Sequence, residues 1–294
     1  MTISSKISVL SILCAVVLTL LACSAPTTPS QRTVSVTILP QKFIAEQIAG
    51  ERFAVNCVVP ANSNPEAYDP TSLQLMEVDR SEAYLRVGEI GFELAWMPRL
   101  LQNSPHLKVY DTSQGIDMIK TAHAHTHADG ATHVTTGVDP HTWSSPRNVR
   151  IMAHNIYRAL VELDAEGEEY YHDNYQRFVH HIDSVDSVVS EILAPVQGRA
   201  FAIYHPSLTY LARDYGVRQL CIEHSGKENS ALSLMSVIDE ARRCDVKVVF
   251  VQQEFDTRHV ATFARELNAD VVTINPLNYE WSNEIIDIAH AIAR

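Results

Sequence analysis

The stretch GEEYYHDNYQRFVHHIDSVDSVVSEIL, Gly167 to Leu193, decides the fold. Tyr171, Tyr175, Phe178, Ile182, Val185, Val189 and Ile192 recur at steps of three and four, which puts them on one apolar stripe of a helix. Pro195 and Gly198 end it. A helix this long with a single stripe is either a stiff connector between two lobes or a surface helix of one domain. A second helix precedes it. Ser145-Pro146 is a start signal, with proline at the first helical position, and Val149, Met152, Ile156, Leu160 and Leu163 supply the stripe.

On both sides of this helical pair the chain alternates strand and helix signals. Upstream, Val34–Leu39, Val55–Val59, Ala83–Val87 and Leu107–Tyr110 read as strands, with helices over Gln41–Ala49 and Leu73–Ser81. Downstream, the strands are Arg199–Tyr204, Gln219–Ile222, Val246–Val251 and Val271–Ile274. Helices over Leu208–Tyr215, Leu232–Cys244, Thr257–Asn268 and Trp281–Ala293 separate and close them. Such alternation implies parallel βαβ units and an α/β fold. No sequence repeat relates the halves, only a repeated rhythm. Between them lies a polar stretch holding His123, His125, His127 and His133. It lacks an apolar period and reads as a loop over residues 121–134.

The N-terminus carries an export signal. Lys6 precedes an apolar run, Ile7 to Ala22, too short for a membrane span and suited to a signal peptide. Leu20-Leu21-Ala22-Cys23 resembles a bacterial lipobox, so cleavage would leave Cys23 as an acylated N-terminus. Ser24 to Gln31 is rich in Ser, Thr and Pro and reads as a tether. Of 294 residues, 23 are Lys or Arg and 35 are Asp or Glu. That balance argues against nucleic acid as a partner. Export permits disulfides, and Cys221 with Cys244 is the plausible pair, while Cys57 is left over.

In open α/β sheets, ligands bind beyond the carboxyl ends of the strands. Glu66 in Pro65-Glu66-Ala67-Tyr68-Asp69-Pro70, His205 in His205-Pro206 and Asn275 in Asn275-Pro276-Leu277 each follow a predicted strand, and His141 in Asp139-Pro140-His141-Thr142-Trp143 precedes the Ser145-Pro146 helix start. Each lies next to or near a proline, which stiffens its loop. Two imidazoles and a carboxylate suit Zn²⁺ or Mn²⁺ without thiolate. The chain has no Gly-rich phosphate loop, nucleophile elbow or His-Glu-x-x-His.

These stretches resemble the cluster A-I substrate-binding proteins of zinc and manganese ABC importers over nearly the whole mature chain. Pro65–Pro70 is similar to that family's first ligand loop, Asp139–Pro146 to its DPHxWLSP segment and His205–Gly216 to its HPAFxYxxxxYG segment. Glu223-His224-Ser225-Gly226-Lys227-Glu228 resembles its ExxGKEPS loop, and Phe250–Phe255 with Asn275–Leu277 its final segment. The resemblance implies two lobes, each with a mainly parallel sheet flanked by helices, bridged by one long rigid helix, with the metal in the cleft between them. The layout is then a signal peptide over 1–22, a tether over 23–32, an N-terminal lobe over 33–165, the bridging helix over 166–194 and a C-terminal lobe over 195–294.

The resemblance also implies ligands. His141 and His205 match ligand histidines. Glu66 stands where histidine is usual, and Asn275 where aspartate often completes the shell. The fourth position falls to Glu254, which brings charge, or to Asn275 or His224. In the family, histidine-rich loops accompany zinc specificity, so His123, His125, His127 and His133 are expected to capture zinc transiently. The expected protein is a monomeric lipoprotein on a bacterial membrane, facing periplasm or exterior, that delivers Zn²⁺ to an ABC importer permease. A Mn²⁺ carrier, a metal-dependent hydrolase and an adhesin are the other readings.

Overall fold

A computed structural model describes residues 31–126, 132–223, 231–255 and 258–294. The expected signal peptide over residues 1–22, Cys23, His127 and His224 lie outside them. The first sheet contains β1 (Thr33–Val36), β2 (Ala54–Cys57), β3 (Ala83–Arg86) and β4 (Lys108–Asp111) in the order β2-β1-β3-β4, all parallel. A ribbon of β5 (Lys120–Thr126) and β6 (Thr132–Val138) follows. The second sheet contains β7 (Ala200–Ile203), β8 (Arg218–Cys221), β9 (Val248–Gln252) and β10 (Asp270–Ile274). Its order, β8-β7-β9-β10, is also parallel and repeats the first.

The helices are α1 (Leu39–Ala49), α2 (Ser72–Asp79), α3 (Gly91–Asn103), α4 (Pro146–Leu163), α5 (Glu168–Leu193), α6 (Thr209–Tyr215), α7 (Ala231–Arg243), α8 (Arg258–Leu267) and α9 (Trp281–Ala293). Strand alternation sorts their partners. From β1 and β3, Val34, Val36, Ala83 and Leu85 face a core shared with Phe201, Ile203 and Phe250 of the second sheet. The stripes of α4 and α5 fill that core, as do α1 and α9. The opposite faces have clusters of their own. Tyr84 and Val58 pack with Phe92, Met97 and Leu100, and Ala200 and Ala202 pack with Val260 and Phe263. The 26-residue α5, about 39 Å long at 1.5 Å per residue, therefore joins two α/β lobes through one continuous core.

Three expectations change. The histidine-rich stretch is not a loop throughout, because β5 and β6 pair antiparallel with His125 opposite His133. Its two-residue alternation and β-branched Thr and Val suit a strand, and the absence of an apolar period concealed this. The first strand ends at Val36 and not at Leu39, because Leu39 and Pro40 open α1, where proline suits the first turn. Cys221 and Cys244 are both free thiols. Cys221 ends β8, whereas Cys244 lies near the strand's start, where Arg218 Nη1 approaches its Sγ at 3.3 Å. The helix runs back along the strand, so the two cysteines fall at opposite ends of one βα unit.

The repeated topology extends to side chains. The thiol of Cys57 donates to the carbonyls of Thr37 and Val59, and that of Cys221 donates to those of Tyr204 and Glu223. Burial pushes each thiol up to about 12, which keeps both protonated and unreactive.

Candidate metal centre

His141 follows β6 in a tight turn in which Thr142 N–H donates to the Pro140 carbonyl. One oxygen of Asp139, Oδ1, accepts both the His141 backbone N–H at 2.9 Å and its ring Nδ1–H at 2.8 Å. The Asp139 carbonyl accepts the Tyr210 hydroxyl at 2.6 Å. The loop is tied to the second lobe by two indoles. Trp143 donates to the Pro276 carbonyl at 2.9 Å, and Trp281 donates to the Trp143 carbonyl at 2.7 Å. His141 is buried, which works against its protonation. Asp139, with Glu66 and Glu254 adding to it, outweighs this, and the pKa is raised. Burial likewise opposes ionisation of Asp139, but His141 and a bond from Thr209 outweigh it and lower its pKa.

His205 follows β7. The buried Gln252 side chain accepts its backbone N–H at 3.3 Å, donates to its carbonyl and holds Ser207 Oγ at 2.9 Å. Ring Nδ1 meets Glu223 Oε2 at 3.1 Å. Phe255 stacks on the ring, with centroids 5.1 Å apart and planes at 25°.

These carboxylates fix the ring chemistry. Each can only accept, so each Nδ1 carries a proton and each neutral ring turns its Nε2 lone pair outward. The two Nε2 atoms face one another at 3.2 Å. Lone pairs at that separation repel unless a proton or cation lies between them. Tetrahedral zinc at ordinary Zn–N lengths sets two nitrogens about 3.3 Å apart.

Glu66 completes the cluster from the loop after β2. Its Oε1 is buried with no hydrogen-bond partner among the described residues and lies 4.0 Å from His141 Nε2. Glu66, His141 and His205 each offer a ligand atom within 4.8 Å of the others. The space they enclose with Glu254, Phe255 and Leu277 has a volume of about 10 Å³ for the centre of a water-sized sphere. That is room for one water or one ion, far below the few hundred Å³ of a small-molecule site.

Of the expected fourth groups, Glu254 lines this space. Burial raises its pKa, and its own backbone N–H, His205 and His141 only partly offset this. Asn275 is committed to its turn. Its side-chain oxygen accepts Leu277 N–H at 3.2 Å, and its own N–H donates to Glu284 at 2.7 Å. His123, His125 and His133 lie on the ribbon, whose residues Thr121 and Val138 line a larger recess that also reaches His141 and Glu66. Sequence reading did not assign the orienting roles of Asp139 and Glu223, although both lie inside the quoted motifs. Nothing in the sequence marked Gly91, whose N–H binds the other oxygen of Glu66 at 2.9 Å.

The family model of zinc-uptake complex component A, periplasmic, matches residues 34–287. A crystal structure of ZnuA is 32% identical with a TM-score of 0.81, covering 90% of this chain and 98% of that one. The high-affinity zinc uptake protein ZnuA of Bacillus subtilis is 24% identical over 250 residues, 83% of this chain and 78% of its own. The manganese-binding lipoprotein MntA of Halalkalibacterium halodurans is 25% identical over 232 residues, 78% of this chain and 73% of its own. With its two parallel-sheet lobes joined by a long helix and its metal-type cluster between them, the chain belongs to the ZnuA family of metal-binding proteins of ABC importers.

Proposed function

We propose that this protein is an exported, lipid-anchored carrier. It captures one Zn²⁺ with Glu66, His141, His205 and Glu254 and hands it to an ABC importer permease. One observation carries the reading. Two imidazole nitrogens stand 3.2 Å apart with both Nδ1 atoms engaged by carboxylates, beside the unpartnered Glu66 Oε1. Donors supplied by the protein's own side chains support a bare ion over a chelate, which would bring its own. Binding, not catalysis, is the work of this family.

The lipobox at Cys23 supports a membrane anchor, with residues 1–22 removed and residues 23–32 as the tether. No helix among the described residues is long and apolar enough to cross a membrane. The ribbon histidines His123, His125 and His133, with His127, would capture zinc before it reaches the cleft. Imidazole-rich capture and a four-group cage favour zinc over manganese.

Native mass spectrometry with metal analysis, offering Zn²⁺ and Mn²⁺ in competition, tests this. One Zn²⁺ per chain is expected to survive deletion of the ribbon and to be lost in His141→Ala/His205→Ala. Tight binding that persists in the double variant refutes the site. Preferential Mn²⁺ retention refutes the choice of metal and leaves the carrier reading intact.

A further inference from the structure

The two carboxylate oxygens of Glu66 have opposite surroundings. Oε1 is buried on the side of His141 with no partner among the described residues, whereas Oε2 accepts the N–H of Gly91 at 2.9 Å. Gly91 is the first residue of α3, where an N–H has no acceptor within the helix. The next free N–H, from Phe92, donates to the Pro65 carbonyl at 2.9 Å. Successive amides at the start of α3 therefore grip successive residues of the Glu66 loop.

Only glycine permits this approach. A β-carbon at Gly91 would fall 2.3 Å from the Glu66 carbonyl oxygen and 2.8 Å from Oε2. The first contact is with backbone, so relief requires the loop or the helix to move. The turn leading into α3 is itself fixed, because the buried Glu93 carboxyl accepts Val87 N–H at 2.8 Å and Gly88 N–H at 2.7 Å.

A carboxylate can hold a metal through one oxygen or chelate it through both. An N–H on Oε2 draws charge from that oxygen and holds the group with Oε1 toward the imidazoles. Resting on the metal-carrier reading above, we propose that the Gly91 amide is a positioning and specificity-determining group that restricts Glu66 to one bond to the ion, through Oε1. A single bond from Glu66 keeps the coordination number low. That suits tetrahedral zinc and disfavours an ion that seeks six oxygen-rich ligands.

The test compares the purified full-length chain with Gly91→Ala, Glu66→Ala and the double variant, each titrated with Zn²⁺, Mn²⁺ and Co²⁺. Gly91→Ala is expected to weaken Zn²⁺ about tenfold to hundredfold and to narrow the preference over Mn²⁺. It should also lower the visible Co²⁺ bands that mark a four-coordinate ion. In the Glu66→Ala background it should change Zn²⁺ affinity by less than about twofold, because its partner is gone. Equal losses in both backgrounds would reveal a merely structural residue and overturn the proposal, as would unchanged affinity and spectrum in the single variant.

If Gly91→Ala does not fold, infrared difference spectra of the wild type with and without Zn²⁺ decide, with Glu66→Ala as the reference. A wide separation of the Glu66 carboxylate stretches means one bond, and a narrow one means chelation and overturns the proposal. Failure of the wild type to bind any of the three ions overturns the carrier reading as well. Binding that ignores Gly91 overturns this proposal alone.

Discussion

Asp139→Asn separates charge from geometry at His141. Asp139 Oδ1 receives two hydrogen bonds, from His141 N–H at 2.9 Å and from ring Nδ1–H at 2.8 Å. Asparagine can offer an oxygen in the same place, so the ring keeps its orientation and tautomer. What disappears is the charge that overcomes burial. Desolvation pushes the His141 pKa down, and Asp139 is the largest influence raising it. In the variant that opposition is lost, and Nε2 becomes a poorer base toward protons and metal alike. Carboxylates behind metal-bound histidines are worth about tenfold to hundredfold in affinity, or about 1.4–2.7 kcal/mol. The sign with pH follows from proton competition. Below the raised pKa of the wild type, the ion must displace a proton from Nε2, so affinity falls on acidification. The variant, with its lower pKa, meets that competition only at lower pH. The affinity gap is therefore widest at alkaline pH and narrows as pH drops. Zn²⁺ competition against a chromophoric chelator across a pH series measures it, and ring-nitrogen NMR of His141 checks the tautomer. Equal affinities at alkaline pH, or a gap that widens on acidification, would refute the reasoning.

Glu93 supplies a stability test away from the proposed ligands. Burial raises its pKa from 4.5 to about 7. Its contribution is thus fully present below the unfolded value and is lost as pH rises through the folded one, about 3 kcal/mol in all. In urea unfolding with chelator present, the advantage of wild type over Glu93→Gln should shrink by about that amount from about pH 5 to about pH 8, and a constant gap counts against it. Trp281→Phe removes the N–H held by the Trp143 carbonyl. Leaving that buried acceptor unpaired should cost about 1–3 kcal/mol in chemical unfolding, and no change would mean that water replaces the bond. Phe255→Ala uncovers the His205 face and opens room for water ligands. Stopped-flow chelation should show faster Zn²⁺ release and competition a narrower preference over Mn²⁺, whereas unchanged kinetics would assign Phe255 to packing alone.

The parallel-sheet architecture was legible because most strands are short apolar runs followed by a helical stripe, and α5 announces itself through seven evenly spaced apolar residues. Helix α3 was missed. It begins with Gly91 and contains Pro98, both breakers in sequence, and its buried Phe92, Met97 and Leu100 are unevenly spaced. Gly91 is tolerated there because it lies at the first position and approaches Glu66 closely, which only the tertiary structure reveals. The site divides the same way. His205 stood out beside a proline at a strand end and His141 beside one ahead of a helix start, and Asp139, two residues before His141, was visible in the same motif. Glu223 lies 18 residues from His205 and Gly91 lies 25 from Glu66. Contacts over those distances depend on which strands become neighbours, and local pattern does not encode that.

For the proposed fourth ligand, charge weighs more than reach. Asn275 spends its side-chain oxygen on Leu277 N–H and its backbone N–H on Glu284, so drawing it to an ion would undo a turn. Even then a neutral amide beside Glu66 would leave a largely buried dication with one compensating carboxylate charge. Burying such an imbalance is costly. Glu254 stands two residues beyond Gln252, the side chain that clamps the His205 backbone, so the end of β9 positions His205 and presents a carboxylate together. With Glu66 and Glu254 both ionised, the proposed ligand set neutralises a divalent ion. Burial raises the pKa of Glu254, so holding its charge there is costly without a cation, and a bound dication offsets that cost. Asn275 carries no charge and offers no such compensation.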